Sequence, residues 1–168
     1  TARLVKPGQK VLILGGTGKS GMLCAYEAKK RAGPTGLILG NARNQQRAEY
    51  MMGFGFYNKA VIANAKKPVE IYEKTLEATN GEEVDLVINC LNVPDAEMSS
   101  ILPVKNGGTV YFFSMATSFT KAALGAEGVG KDCNMIIGNG YTKDHAIITL
   151  EILRESPKLR KLFEDKYT

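Results

Sequence analysis

Val11-Leu12-Ile13-Leu14-Gly15-Gly16-Thr17-Gly18-Lys19-Ser20-Gly21 is the stretch that decides the fold. Four apolar residues run into a cluster of glycines, and an alanine-rich helical pattern follows at once. Gly16, Gly18 and Gly21 satisfy G-x-G-x-x-G in the strand–turn–helix setting where that spacing has physical meaning. The first glycine permits a tight turn and the second lets backbone approach a pyrophosphate. The third lets the helix pack closely on the strand. The N–H groups of the first helical turn, aligned with the helix dipole, then face the anion. Gly16, Thr17, Gly18, Lys19, Ser20 and Gly21 are the expected cradle, with Lys19 either adding a charge contact or pointing into solvent. A dinucleotide site is the leading expectation.

The same residues admit rival readings. Thr17-Gly18-Lys19-Ser20 looks like the end of a nucleotide triphosphatase P-loop, but that motif needs a glycine where Ile13 stands. It also needs an Asp at the end of another strand to hold magnesium, and the strand at Leu86-Val87-Ile88 runs into Asn89-Cys90. A glycine-rich turn without any ligand is the bland alternative. Gly15, Gly18 and Gly21 give the spacing of short-chain dehydrogenases, whose Tyr-x-x-x-Lys pair is matched only by Tyr26 and Lys30. That pair falls on the first helix beside the phosphate turn, beyond reach of a nicotinamide, and reads as helix surface.

With 168 residues, 44% hydrophobic and 23% charged, the composition is that of one soluble globular domain spanning 1–168. No apolar run reaches membrane-spanning length and no signal peptide precedes the first strand. Cys24, Cys90 and Cys133 are odd in number and widely spaced, which suggests neither a disulfide framework nor a zinc cluster. Cytoplasmic localisation is expected. The net charge of +5 comes from dispersed lysines and arginines without interleaved aromatics, so neither nucleic acid nor a membrane is an expected partner.

Strands are expected at Lys10–Leu14, Gly36–Leu39, Ala60–Ile62, Asp85–Cys90, Gly108–Phe113 and Asn134–Ile137. Helices are expected at Ser20–Ala32, Asn44–Met52, Pro68–Ala78, Asp95–Leu102 and Asp144–Arg154, with a last amphipathic helix from Pro157 that carries Leu159, Leu162 and Phe163. This alternation predicts an α/β protein of Rossmann type: a doubly wound, parallel six-stranded sheet with helices on both faces.

In such a sheet the end of the second strand reads the adenosine ribose. An Asp or Glu there favours NAD, and a nearby Arg favours NADP. Here Leu39-Gly40-Asn41-Ala42-Arg43-Asn44 holds no carboxylate. Asn41 can still bond a ribose hydroxyl, while Arg43 and Arg47 can clamp a 2′-phosphate or stand solvated at a helix start. NAD or NADP is therefore the expected cofactor, with NADP tolerated or preferred. The ends of the later strands nominate Asn89, Cys90, Leu91, Asn92 and Val93, then Phe113, Ser114 and Met115, as cleft lining. Cys90 reads as a wall residue rather than a nucleophile, and Ser114 as either a cofactor contact or a turn cap. Asn139 or Tyr141 would approach the nicotinamide end, or simply leave the strand. His145, the single histidine, reads as surface or capping.

The lead-in Val5-Lys6-Pro7-Gly8-Gln9-Lys10-Val11 resembles the entry to the cofactor domain of medium-chain dehydrogenases, and the six-strand order fits that domain along the whole chain. Gly18–Gly21, Asp132–Tyr141 and Leu153–Arg160 are most similar to an amine-oxidising member that serves lysine fermentation. The resemblance implies the C-terminal, NAD(P)-binding part of a larger enzyme that oxidatively deaminates an amino acid at its 3-amino group. It places substrate-binding groups on a preceding domain, leaves the catalytic residues unknown, and implies a homodimer joined through the strand at Asn134. Alone, such a domain would bind cofactor weakly and turn over nothing. Another medium-chain, alcohol-type dehydrogenase and a non-catalytic dinucleotide-sensing domain of a regulator remain as alternatives.

Overall fold

The chain, seen here in a computed structural model, is described at residues 1–138 and 142–167. The elements are β1 Lys10–Leu14, α1 Lys19–Ala32, β2 Leu37–Ala42, α2 Gln45–Met52, β3 Lys59–Ile62 and α3 Pro68–Ala78. They continue with β4 Val84–Asn89, α4 Glu97–Ile101, β5 Val104–Phe112, α5 Phe119–Gly128, β6 Cys133–Ile137, α6 His145–Glu155 and α7 Pro157–Tyr167. All strand pairs are parallel, in the order β3-β2-β1-β4-β5-β6. The chain winds outward from β1 to β3, then returns to β4 on the other side of β1. Winding therefore reverses between β1 and β4, where open α/β sheets bind ligands. The expected doubly wound sheet is the one observed.

The period-two alternation of the strands feeds two cores. Val11, Ile13, Ile38 and Ile88 face α1, α2, α6 and α7, packing with Met22, Met51 and Leu159. Leu12, Leu14, Leu39 and Val87 face α3, α4 and α5, packing with Ile71, Ile101 and Ala122. Central strands β1 and β4 are buried on both faces, which is why they read as continuous apolar runs.

Several boundaries differ from those expected. β2 runs on through Gly40 and Asn41, which the sequence suggests as a turn. A Cβ on Gly40 would lie 2.7 Å from the Tyr57 ring, so this strand position needs glycine for packing. β5 starts at Val104 instead of Gly108 and carries an irregularity opposite Val84 and Leu86, with Gly107 at φ +75°. Sequence reading missed α5 altogether, since Gly125 and Gly128 interrupt its helical pattern. The side chain of Ser118 caps it by accepting from Lys121 N–H, and Gly125 gives way to Met98 of α4. α4 opens two residues late, after Asp95 at φ +66°.

Candidate dinucleotide-binding site

Because every strand is parallel, the loops after β1, β2, β4, β5 and β6 all emerge on one edge of the sheet. Two of them meet at the winding reversal. The β1–α1 turn, residues 15–18, lies against the β4 exit: a Cβ on Gly15 would be 3.2 Å from the carbonyl carbon and oxygen of Cys90. Gly15 also takes the left-handed conformation, at φ +78°. The tight turn thus belongs to Gly15, one residue before the first glycine of the motif.

The other glycines divide by what demands them. A Cβ on Gly16 would sit 3.0 Å from Met51 Sδ and 3.1 Å from Tyr57 Oη, and Gly16 N–H donates to Asn41 O at 3.1 Å. A Cβ on Gly21 would press inside normal contact with the Gly15 carbonyl and stand 3.0 Å from Gly16 Cα. Gly18 is different. It is exposed, with φ −81° and ψ 164°, and an added Cβ would meet only Gly15 O at 3.4 Å. Among the described residues, packing does not require glycine there, and its open face leaves room for close approach by a ligand. No side chain caps α1, and its first turn holds no acidic residue. Its leading N–H groups and dipole therefore suit an anion.

Tyr57 is a part of this site that sequence reading missed. Its buried hydroxyl lies 2.8 Å from Gly16 O and 3.0 Å from Gly21 O, pinning the turn to the start of α1. Its single proton serves one carbonyl at a time. Burial pushes its pKa well above that of an ordinary tyrosine, so the hydroxyl stays a donor. Tyr57→Phe is expected to cost about 1–2 kcal/mol in stability by leaving two buried carbonyls with one donor fewer. Urea unfolding beside NADPH titration checks this, with weakened binding expected as the turn loosens.

Asn41, next to last in β2, has both amide hydrogens engaged, to Val61 O and Ala63 O at 3.0 Å each, so it braces β3 and leaves only its oxygen for a ligand. Arg43 and Arg47 are exposed at the start of α2, which Asn44 caps by accepting from Arg47 N–H. Beyond β4, Cys90 and Leu91 are half-buried and Asn92 exposed. Buried Asn89 shapes this exit: Oδ1 accepts Leu91 N–H at 2.9 Å, and Nδ2 donates to Ser100 Oγ at 3.0 Å. Beyond β5, Phe113 and Met115 are exposed, and Ser114 Oγ accepts Ala116 N–H at 3.1 Å, as a turn cap does. Asn139 and Tyr141 lie outside the described residues.

The two remaining candidates play structural parts. Tyr26 Oη donates to Glu155 at 3.1 Å and Lys30 pairs with the same carboxylate at 2.7 Å, joining α1 to α6. His145 stands exposed at the start of α6, with Nδ1 2.8 Å from Thr142 O. Between α1, the ends of β5 and β6, and α6 lies a cavity of about 470 Å³, lined by Ser20, Cys24, Phe113, Ile137, His145 and Ile148 among others. Among the described residues no group of three His, Cys, Asp or Glu side chains could hold a metal ion.

Strand order, glycine turn and switch-point crevice together define a Rossmann fold of the dinucleotide-binding type. The comparisons with known proteins place it further. Over 167 residues the chain is 64% identical to L-erythro-3,5-diaminohexanoate dehydrogenase of Acetoanaerobium sticklandii, covering 99% of this chain and 48% of the relative. It is 60% identical over 166 residues to the enzyme of the same name from Fusobacterium nucleatum, again covering 99% and 48%. The chain spans about half the length of these curated relatives and is homologous to that half. No protein-family model matches. A zinc-dependent alcohol dehydrogenase 2 from Streptococcus pneumonia shares the fold at TM-score 0.65 and 18% identity, over 96% of this chain and 50% of that one. A mycobacterial protein solved in complex with NADPH does so at TM-score 0.64 and 13% identity, over 96% and 48%. The expected similarity to an amine-oxidising dehydrogenase is borne out by these identities, and the solved structures share the expected Rossmann fold.

Proposed function

We propose that this chain is the NAD(P)-binding half of a dehydrogenase that oxidatively deaminates L-erythro-3,5-diaminohexanoate at its 3-amino group. The observation that carries the reading is the 64% identity across 99% of the chain. The geometry supports the cofactor part, because Gly16 and Gly21 let the turn pack tightly on its own protein neighbours while Gly18 leaves the outer face of the turn open. When bound, NAD(P)⁺ supplies the hydride acceptor; substrate oxidation gives an imine that water converts to a 3-oxo acid and ammonia. The chain's own residues bind and orient. Gly16 to Gly21 and the start of α1 hold the pyrophosphate, and Tyr57 fixes that turn. Leu91, Asn92, Phe113 and Ser114 wall the nicotinamide end. The substrate-binding groups belong to the other half of the relatives' length.

The test is the full-length polypeptide, assayed for NAD(P)⁺ reduction and ammonia release with 3,5-diaminohexanoate against simple alcohols. Activity with the diamino acid alone is expected; activity only with alcohols overturns the substrate while leaving the fold intact.

Cofactor choice follows from the end of β2. With no carboxylate there and Arg43 and Arg47 exposed beside it, the site accepts a 2′-phosphate. Replacing both arginines by alanine is expected to weaken NADPH binding by about 1.5–3 kcal/mol, the value of charge-assisted hydrogen bonds, while NADH binding barely changes. A clear NADH preference that Arg43→Ala leaves untouched overturns the clamp. β6 is an edge strand carrying the partly exposed Ile136 and Ile137, which supports a homodimer that pairs two such edges. The three free thiols fit a cytoplasmic setting.

A further inference from the structure

We propose, on the dinucleotide reading above, that Cys24 and Cys90 form a reversible disulfide that closes the dinucleotide site. The two residues are far apart in sequence but sit on the two elements that grip the glycine turn. Cys24 lies on α1, one turn past Gly21, and Cys90 is the first residue after β4. Their sulfurs are 3.9 Å apart, with the Cys90 thiol donating to Cys24 Sγ. Thr1 Oγ1 also donates to Cys24 Sγ, at 3.2 Å. Two donors aimed at one sulfur favour its thiolate, and the Cys90 bond is the main cause that holds the Cys24 pKa down. Cys90 moves the opposite way, as the donor to that sulfur and through burial. Cys24 is thus the attacking sulfur and Cys90 the resolving one. Cys24 also lines the 470 Å³ cavity, so a small reagent has a path to it. Cys133, on β6, belongs to the opposite core and takes no part.

The chemistry balances with a peroxide as oxidant. The Cys24 thiolate attacks one peroxide oxygen, the O–O bond breaks, and water leaves once the departing hydroxide takes up a proton. This gives a sulfenic acid at Cys24. The Cys90 sulfur then attacks Cys24 Sγ, the S–O bond breaks, and a second water leaves. Two thiols are oxidised to one disulfide, and the peroxide is reduced to two waters. A dithiol reductant reverses the change by exchange.

Bridging draws the sulfurs from 3.9 Å to about 2.05 Å. The glycine turn lies between the elements that must move, and Gly15 already packs against the Cys90 carbonyl. Drawing α1 and the β4 exit together displaces that turn and the N–H groups behind it. Thermodynamic reciprocity then requires bound dinucleotide to resist the bridge.

The experiment uses the full-length protein, reduced or treated with hydrogen peroxide. Peptide mapping without reductant reports the bridge, and fluorescence titration with NADPH and with NADH reports affinity. A Cys24–Cys90 cross-linked peptide is expected, with affinity lowered about tenfold or more, restored by dithiothreitol. Cys24→Ser is expected to bind as the reduced protein does and to ignore peroxide. Saturating NADPH should slow bridging. Oxidation of Cys24 without a bridge, or a bridged protein that binds as tightly as the reduced one, overturns the inference alone. A reduced protein that binds neither dinucleotide overturns the dinucleotide reading and this coupling with it.

Discussion

Gly21→Ala in the full-length protein is expected to abolish dinucleotide binding, with affinity falling by at least about 100-fold, or 2.7 kcal/mol. The added Cβ would overlap the Gly15 carbonyl and crowd Gly16 Cα at 3.0 Å, and all of these are backbone atoms. A backbone clash cannot be relieved by turning a rotamer, so the β1–α1 turn has to move away from the start of α1. The N–H groups that hold the pyrophosphate move with it. Overpacking of this kind also costs about 1–3 kcal/mol in stability, which thermal unfolding reads separately. Gly18→Ala supplies the contrast. Its φ and ψ suit alanine, and the new Cβ meets only Gly15 O at 3.4 Å. Stability is therefore expected to stay within about 0.5 kcal/mol of the parent, while dinucleotide affinity still falls because the methyl group stands where the ligand approaches. If Gly18→Ala binds NADPH and NADH as the parent does, the pyrophosphate does not pass over this turn.

The contrast between those two glycines shows what the sequence could and could not reveal. The motif spacing found the turn, because phosphate-binding chemistry needs small residues at a fixed spacing along the chain. It gave the tight turn to Gly16, whereas Gly15 takes the left-handed conformation and packs on the β4 exit some 75 residues later. Strand β1 and helix α3 were legible to the residue, each with an unbroken pattern and clear stop signals. Helix α5 was not, because Gly125 in its middle is explained only by packing against Met98. Tyr57 was overlooked in the aromatic stretch Phe54-Gly55-Phe56-Tyr57, which reads as a loop. A signal did exist. Gly40 interrupts an apolar strand, and a glycine in that setting often marks a close approach by something large; here it is the Tyr57 ring. Asn41 and Asn89 both lay at expected strand ends, yet their side chains serve the protein first, one bracing β3 and the other shaping the β4 exit.

Asn89→Ala is the second large effect expected. Asn89 is 2% exposed and joins three elements: its backbone carbonyl accepts Phe113 N–H at 3.0 Å, Oδ1 accepts Leu91 N–H, and Nδ2 donates to Ser100 Oγ. Ser100 passes its own proton to Ala96 O at 2.9 Å, so the network ties the end of β4 to α4. Truncation strips Leu91 N–H of its partner, deprives Ser100 of a donor and opens a small void. The combined cost is about 2–4 kcal/mol. The loop after β4 flanks the winding reversal, so dinucleotide affinity is expected to fall as well. Asn89→Asp separates the polar network from the packing. Its volume is unchanged and an oxygen remains for Leu91, but Ser100 must turn its proton away from Ala96. Burial raises the pKa of a carboxyl at this position above its unfolded value of about 3.9. Folding then favours the protonated form, so this variant is expected to be nearly as stable as the parent below about pH 4 and to lose stability as pH rises through the folded pKa. Urea unfolding of both variants at acid and neutral pH, with and without NADPH, reads all of these effects. An alanine variant that kept the parent's stability and affinity would mean that backbone contacts suffice to hold the β4 exit, namely Cys90 N–H to Leu14 O at 3.0 Å and the packing of Gly15 on Cys90.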